Sequence, residues 1–278
     1  MVTLSEISAG VRPRRDRMMW VRALAGVVMA FAFIVPARTQ DLLRFLDLSS
    51  PDMTSAEMTR ADVEAALASH QTDFSAKKLS GLDLSGLDLS GVQLRAARLN
   101  QTKLAGAKLD RSILDQAWLL GADLSRASLR SSNIFGAQLR GAKLDNADLS
   151  NARIAADLTG ASLVGAVLAR ANLGADMKNQ SMGLMRAVLR SANLDGADLQ
   201  QADLSRADLE FASLSHANLT GAILRGASLG GTNLTGAIVK DADFSDADLA
   251  SARLVNVIGL DSAKNFERAR NLDRVLHE

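Results

Sequence analysis

Histidine is the side chain best suited to move protons or bind a metal near neutral pH, and this chain has three, His70, His216 and His277. They lie in different parts of the chain with no metal-ligand spacing, so neither a zinc set nor a histidine-centred triad can be assembled from local sequence. Cysteine is absent, which excludes disulfides, thiolate zinc sites and a cysteine nucleophile and leaves the redox compartment open. The chain also lacks a phosphate-cradling glycine loop, a dinucleotide fingerprint and a serine with an evident base partner. Aspartates are plentiful, but they recur at regular positions, each just before an aliphatic residue, as in Asp83-Leu84 and Asp123-Leu124. Such spacing makes a solvated, hydrogen-bonding column, not a convergent acid–base pair. The expectation is a protein without catalytic residues, cofactor or metal.

The elements that carry these residues must be built from small and aliphatic side chains. Of 278 residues, 47% are apolar but only 4% aromatic, so the core is chiefly Ala and Leu. That apolar content suits one or two folded domains and argues against disorder. The net charge of +1 argues against a strongly basic nucleic-acid binder and equally against an acidic mimic of nucleic acid.

An internal repeat dominates. From Leu79 an aliphatic residue returns at every fifth position, through Leu84, Leu104, Leu124, Leu144 and on to Ile154. Small residues sit two positions upstream, as at Ala107, Ala127 and Ala147, and the pattern resumes from Leu184 through Leu204 and Leu224 to Leu254. Residues two apart share one face of an extended chain, so each Ala and its following Leu point the same way. For that relation to return every five residues the chain must turn between units, and glycines such as Gly81, Gly106 and Gly121 fall where a corner needs a permissive backbone. Short extended pieces joined by regular turns make a solenoid with Leu and Ala columns inside. The register slips once. Leu158 comes one residue early, eleven residues separate Leu173 from Leu184, and Gly174 to Gly183 reads as a bulged coil or excursion that restores the spacing.

Units such as ADLSR (122–126), ANLTG (217–221) and ADLQQ (197–201) resemble the pentapeptide-repeat family over about 36 units from Phe74 to Asn256. The resemblance implies an all-β solenoid, a right-handed quadrilateral β-helix of about nine coils with four units per coil. At the spacing of hydrogen-bonded strands that is a rod roughly 43 Å long. Well-understood relatives of the fold are cytosolic gyrase-binding proteins that resemble duplex DNA in shape and charge. Residues 74–258 carry 20 basic and 18 acidic side chains, which departs from that mechanism and leaves a DNA-mimic inhibitor or protector of gyrase as the alternative function.

The ends differ from the repeat. A basic stretch (Arg12, Arg14, Arg15, Arg17, Arg22) precedes the uncharged run Ala23 to Val35 and then Pro36-Ala37. The run is shorter than the roughly 20 residues needed to span a bilayer and suits a signal peptide cleaved after Ala37. A retained inner-membrane anchor, extended by Met18 to Val21, is the alternative, and a buried helix the third reading. Four parts follow: a signal peptide or anchor over 1–37, a linker and capping helix over 38–73, the repeat over 74–258 and a capping helix over 259–278. The N-terminal cap is expected near 55–69, where Thr59 and Asp62 have capping-box spacing. The C-terminal one starts at Asp261 and presents Phe266, Ala269, Leu272 and Leu276 at steps of three and four. Besides capping, this helix could join two copies as a homodimer.

Coils of twenty residues stack Asp83, Lys103, Asp123 and Lys143 in a ladder of alternating sign and set Arg98 beside Trp118, within reach of a cation–π contact. Trp118, Leu120, Phe135 and Phe211 fall outside the inward positions. Of these, Trp118, Leu120 and Phe135 form the candidate partner-binding patch. The combined expectation is a non-enzymatic protein of a Gram-negative envelope, exported to the periplasm or anchored with its repeat outside the cytoplasm. Its rigid faces would bind another envelope protein or the membrane surface rather than nucleic acid.

Overall fold

A computed structural model of the chain describes residues 47–177 and 185–278. The 1–37 segment, its apolar run, the cleavage position Ala37 and also Leu184 lie outside the described residues.

One five-residue unit shows how the fold is made. In Ala122-Asp123-Leu124-Ser125-Arg126, Ala122 and Leu124 are buried and Asp123 points outward between them. Leu124 N–H donates to the Lys143 carbonyl at 2.7 Å and Asp123 N–H to the Thr102 carbonyl at 3.0 Å, one bond to the coil on either side. The corner closes when Ala127 N–H donates to the Leu124 carbonyl at 3.0 Å. Its third residue, Arg126, is left-handed at φ +57°, the conformation a type II turn requires at that place. Glycine fills the equivalent place at Gly121 (φ +62°). Where it does not, a side chain occupies a region that costs an L-residue roughly 1–2 kcal/mol. Burial of the leucine files, about 1.5–3 kcal/mol each before chain entropy is subtracted, outweighs that cost.

Parallel bridges link the coils in four columns, one per face. The first face runs through Asp73, Gln93, Ile113, Asn133, Arg153 and Asn172, and the second through Lys78, Arg98, Trp118, Gln138, Asp157 and Val188. The third contains Asp83, Lys103, Asp123 and Lys143, and the fourth Asp88, Lys108, Ser128 and Asp148. Leu84, Leu104, Leu124, Leu144, Leu204 and Leu224 are all buried in the shared interior.

Two departures from the twenty-residue step fall at the same edge, between the first and second faces. Arg153 on the first face and Asp157 on the second are only four residues apart, so the bridge from Gln138 reaches Asp157 after 19. One coil later Asn172 and Val188 are sixteen apart, and Asp157 pairs with Val188 across 31. Among the described residues the regular pattern resumes at Ala187-Val188-Leu189. The extra residues fall between Asn172 and Val188, at the corner after Leu173.

Before the first coil, α1 (Pro51–Thr54) and α2 (Arg60–Ala68) form. Thr59 and Asp62 make a reciprocal capping box: Thr59 N–H donates to Asp62 Oδ2 at 2.8 Å, and Asp62 N–H to Thr59 Oγ1 at 3.2 Å. Val63 and Ala66 of α2 join the same apolar cluster as Phe74 and Leu79, and Ala56 pairs antiparallel with Leu79. At the other end, the helix expected over 259–278 does not form. Single 3₁₀ turns at Leu260–Ser262, Phe266–Arg268 and Leu272–Arg274 alternate with bridge residues Lys264, Arg270 and Leu276, which pair with Asp243, Asp248 and Arg253. The repeat thus widens from five to six residues per side. Left-handed Gly259, Asn265 and Asn271 open these turns, and each breaks the continuity a helix would need. Phe266 packs edge-on against Phe244, ring centroids 5.4 Å apart.

Candidate interaction surface

The register ladder stands where twenty-residue coils put it. Asp83, Lys103, Asp123 and Lys143 are consecutive rungs of the third face, with Lys103 Nζ 3.6 Å from Asp83 Oδ2. Arg98 and Trp118 are likewise neighbours on the second face. The cation–π contact goes elsewhere, however. Arg98 turns toward Asp52 of α1 at 3.9 Å, and among the described residues the ring contact is made by Arg153, whose guanidinium carbon lies 4.2 Å from the Phe135 ring centre.

The three patch residues are all half-buried but do not share one surface. Leu120 belongs to the corner between the second and third faces. There its N–H donates to Asn100 Oδ1 at 3.0 Å while Asn100 Nδ2 donates to the Met53 carbonyl at 3.0 Å, so α1 docks beside it. Trp118 and Phe135 lie at the edge where the two departures occur, Trp118 on the second face and Phe135 at the corner one coil on. Phe211 sits on a different edge and is 67% exposed.

The Phe135 corner is imperfectly satisfied. Of the six buried side-chain atoms without a hydrogen-bond partner among the described residues, three surround it: Asp115 Oδ1, Asn133 Oδ1 and Gln138 Oε1. Burial pushes the Asp115 carboxyl up, against the pull of the Phe135 N–H, Arg95 at 3.9 Å and Arg153. Buried acceptors left open cost free energy.

Just beyond this corner a recess lies beside the shortened turn at Ala155-Ala156. It is an open cleft of about 650 Å³, lined by Arg153, Ala155, Asn172, Gly174, Asp176 and Met177. Arg153 Nη2 contacts Asp176 Oδ2 at 2.9 Å, Asp176 N–H donates to the Met185 carbonyl at 2.8 Å, and Arg186 Nη2 reaches Asp208 Oδ2 at 3.1 Å, so both ends of the insertion are tied to the rod. Arg153 therefore links ring, cleft and insertion. The sequence shows both slips, the early Leu158 and the late resumption, but not that coil stacking aligns them at one edge.

The arrangement offers apolar rings, an ion pair and open acceptors to a partner, and nothing convergent for bond chemistry. Among the described residues no group of His, Asp and Glu is placed to hold a metal ion, and no helix is long and apolar enough to cross a membrane.

The model of the family described as pentapeptide repeats matches this chain over residues 78–178 and 184–258 in overlapping segments. Among solved structures, the chain is similar to HetL, a pentapeptide repeat protein involved in heterocyst differentiation regulation in the cyanobacterium Nostoc sp. strain PCC 7120. The identity is 32% over 80% of this chain and 100% of HetL, with a TM-score of 0.28. It is also similar to QnrB1, a plasmid-mediated fluoroquinolone resistance protein, at 20% identity over 60% of this chain and 84% of that one, with a TM-score of 0.35. A pentapeptide repeat protein of the Arabidopsis thaliana thylakoid lumen is 30% identical over 46% of this chain and 64% of its own, with a TM-score of 0.22. Comparison with curated proteins gave no match.

Proposed function

The chain belongs to the pentapeptide-repeat family and has its right-handed quadrilateral β-helix; from that premise we propose that it is a non-enzymatic scaffold of the bacterial cell envelope that holds a protein partner along the edge between its first and second faces. We count nine coil-to-coil steps down the first face, from Asp73 to Lys264, and assign α2 and the widened last coil as the caps of the rod. The basic stretch and short apolar run before Ala37 support export to the periplasm, with a retained inner-membrane anchor as the variant of the same reading.

One observation carries the partner site: a stack regular to the residue up to its widened last coil loses one residue and gains eleven at a single edge, beside Phe135, Trp118 and a group of open acceptors. Irregularities in a repeat array concentrate where a binding surface is built, since every other position answers to stacking alone. A gyrase-directed DNA mimic needs columns of like negative charge. Here the third face alternates Asp83, Lys103, Asp123 and Lys143, which opposes that reading.

The test is a proximity-labelling and pull-down survey of envelope proteins with the full chain and its Trp118→Ser, Phe135→Ser variant. Loss of one or more partners from the variant is the expected result. Equal recovery of every partner by both proteins overturns the partner site, and recovery of the chain in the cytosolic fraction overturns the envelope assignment.

A further inference from the structure

Sulfur is confined to one place in this rod. The chain has no Cys, and of its nine Met residues the repeat over 74–258 holds only Met177, Met182 and Met185. The inward aliphatic column uses Leu, Ile, Val and Phe instead, although methionine replaces leucine in a core at small cost. Every thioether of the repeat therefore stands at the insertion, where stacking does not call for one. Met182 lies outside the described residues.

Met185 is half-buried and seated on a corner of the rod. Its Cε lies 3.7 Å from the place a Cβ on Gly136 would take. Gln138, Asp157 and Val188 are successive rungs of the second face, so Gly136 is two coils away and the thioether reaches past the coil whose corner is one residue short. Corner side chains elsewhere reach one coil only, as Gln101 meets Gly121 and Gln201 meets Gly221. The Met185 carbonyl also receives Asp176 N–H at 2.8 Å, and Ala187 N–H donates to the Leu173 carbonyl at 3.1 Å. These two bonds close the base of the insertion beside the seated side chain.

That corner suits a thioether and not a sulfoxide. Its donors are already used: Gly136 N–H goes to the Ala155 carbonyl at 2.8 Å, Gln116 N–H to the Phe135 carbonyl at 2.8 Å and Gln138 Nε2 to the Gly136 carbonyl at 3.4 Å. The groups left open are acceptors, Asn133 Oδ1 and Gln138 Oε1. A sulfoxide oxygen accepts and cannot donate, so it would add one more open acceptor and carry the cost of an unmatched polar group.

We propose that Met185 is a reversible oxidation site through which peroxide loosens the base of the insertion. Hydrogen peroxide transfers one oxygen atom to the thioether sulfur: the O–O bond breaks, the S–O bond forms, sulfur gives up two electrons and the peroxide leaves as water. A methionine sulfoxide reductase returns the thioether. This site shares an edge with the partner site but is read from the insertion itself, so either can fail without the other.

The test treats the full chain, in detergent micelles, with dilute hydrogen peroxide and follows it by peptide mass spectrometry and amide hydrogen exchange. Met185 is expected to gain oxygen before Met53, which is 8% exposed. Exchange at the Asp176 and Ala187 amides should then rise about tenfold, as the loss of part of one apolar contact allows, and fall back after methionine sulfoxide reductase. Met185→Leu keeps the contact without the sulfur and should show no rise. Met177, 49% exposed at the cleft, is the control for oxidation without this effect, so Met177→Leu should respond as the parent does. Oxidation of Met185 no faster than of Met53, unchanged exchange in the oxidised parent, an equal rise in Met185→Leu or a rise abolished by Met177→Leu would overturn the assignment.

Discussion

Each corner of the rod exposes an N–H that the ladder leaves unpaired, on the residue after the central aliphatic one. The aspartate column exists largely to meet it. Asp123 Oδ1 accepts from Ser125 N–H at 3.0 Å, and Asp83, Asp148 and Asp203 do the same for Ser85, Ser150 and Ser205. Where the outward residue is serine, the coil below supplies the oxygen: Asp110 Oδ1 receives Arg130 N–H at 3.0 Å and Asp145 Oδ1 receives Val164 N–H at 3.1 Å. Asp110 also pairs with the Arg130 guanidinium at 2.7 Å, but that side chain is 58% exposed and the ion pair is weak. Asp110→Ala should therefore cost about 1–3 kcal/mol, because it strands the corner N–H, while Arg130→Ala should cost under about 1 kcal/mol; urea unfolding of both variants gives the comparison. Asp243 extends the logic to acid. Burial pushes its carboxyl up, but Ser245, Arg225 and Asn265 together hold it well below the ordinary range. A depressed folded pKa gives stability that is complete above the unfolded value of about 3.9 and declines as pH falls below it toward the folded one. Unfolding free energy of the parent should drop below about pH 4, and Asp243→Asn should be less stable at neutral pH with a shallower acid slope.

At the scale of elements, the insertion makes the sharpest prediction. Removing residues 176–186 takes eleven residues from a 31-residue step and leaves Leu173-Gly174-Ala175 followed by Ala187-Val188-Leu189, an ordinary corner of a twenty-residue coil. The shortened protein should fold with an unchanged or higher melting midpoint, since an ordinary five-residue corner replaces a sixteen-residue one, and should lose the partner that the Trp118 and Phe135 variant loses. A collapsed midpoint would mean that the insertion holds the rod together. At the N-terminus, Thr59→Ala removes the capping box of α2 and should cost about 1 kcal/mol by denaturant titration. Both the five-residue period and the Thr59/Asp62 spacing are legible in the sequence because each is a local rule repeated or bracketed by residue type. The widened last coil was not legible. Phe266, Ala269, Leu272 and Leu276 fit a helical period, and only the left-handed Asn265 and Asn271, which compete through backbone conformation, turn them into six-residue sides. The seat of Met185 on Gly136 was not legible either, because nothing in the residue types says that one side chain reaches across two coils.

For the whole molecule, the governing fact is that each coil touches only its neighbours, so stability is a sum over coils and register is the one global constraint. Bridges at intervals of twenty hold from Asp73 to Arg153 and again from Val188 to Ile258. The two departures are confined to one edge, and the other three corners of those coils keep their residues in column. A rod of this kind should tolerate loss of a complete coil and reject loss of a fraction of one. Deleting residues 221–240 joins Thr220 to Asp241 with every later aliphatic residue still facing inward, and the product should remain folded and shorter by about 4.8 Å, with a modestly lower midpoint. Deleting residues 221–231 instead joins Thr220 to Thr232 and moves Leu234, Val239 and Phe244 out of the inward columns. Those three side chains are buried in the intact protein, and turning them outward while drawing polar neighbours inward should destroy the C-terminal coils or the protein's solubility. Circular dichroism and small-angle scattering on the two deletions decide the matter. If both stay folded, the interior does not depend on register, and if neither does, the coils are not independent units.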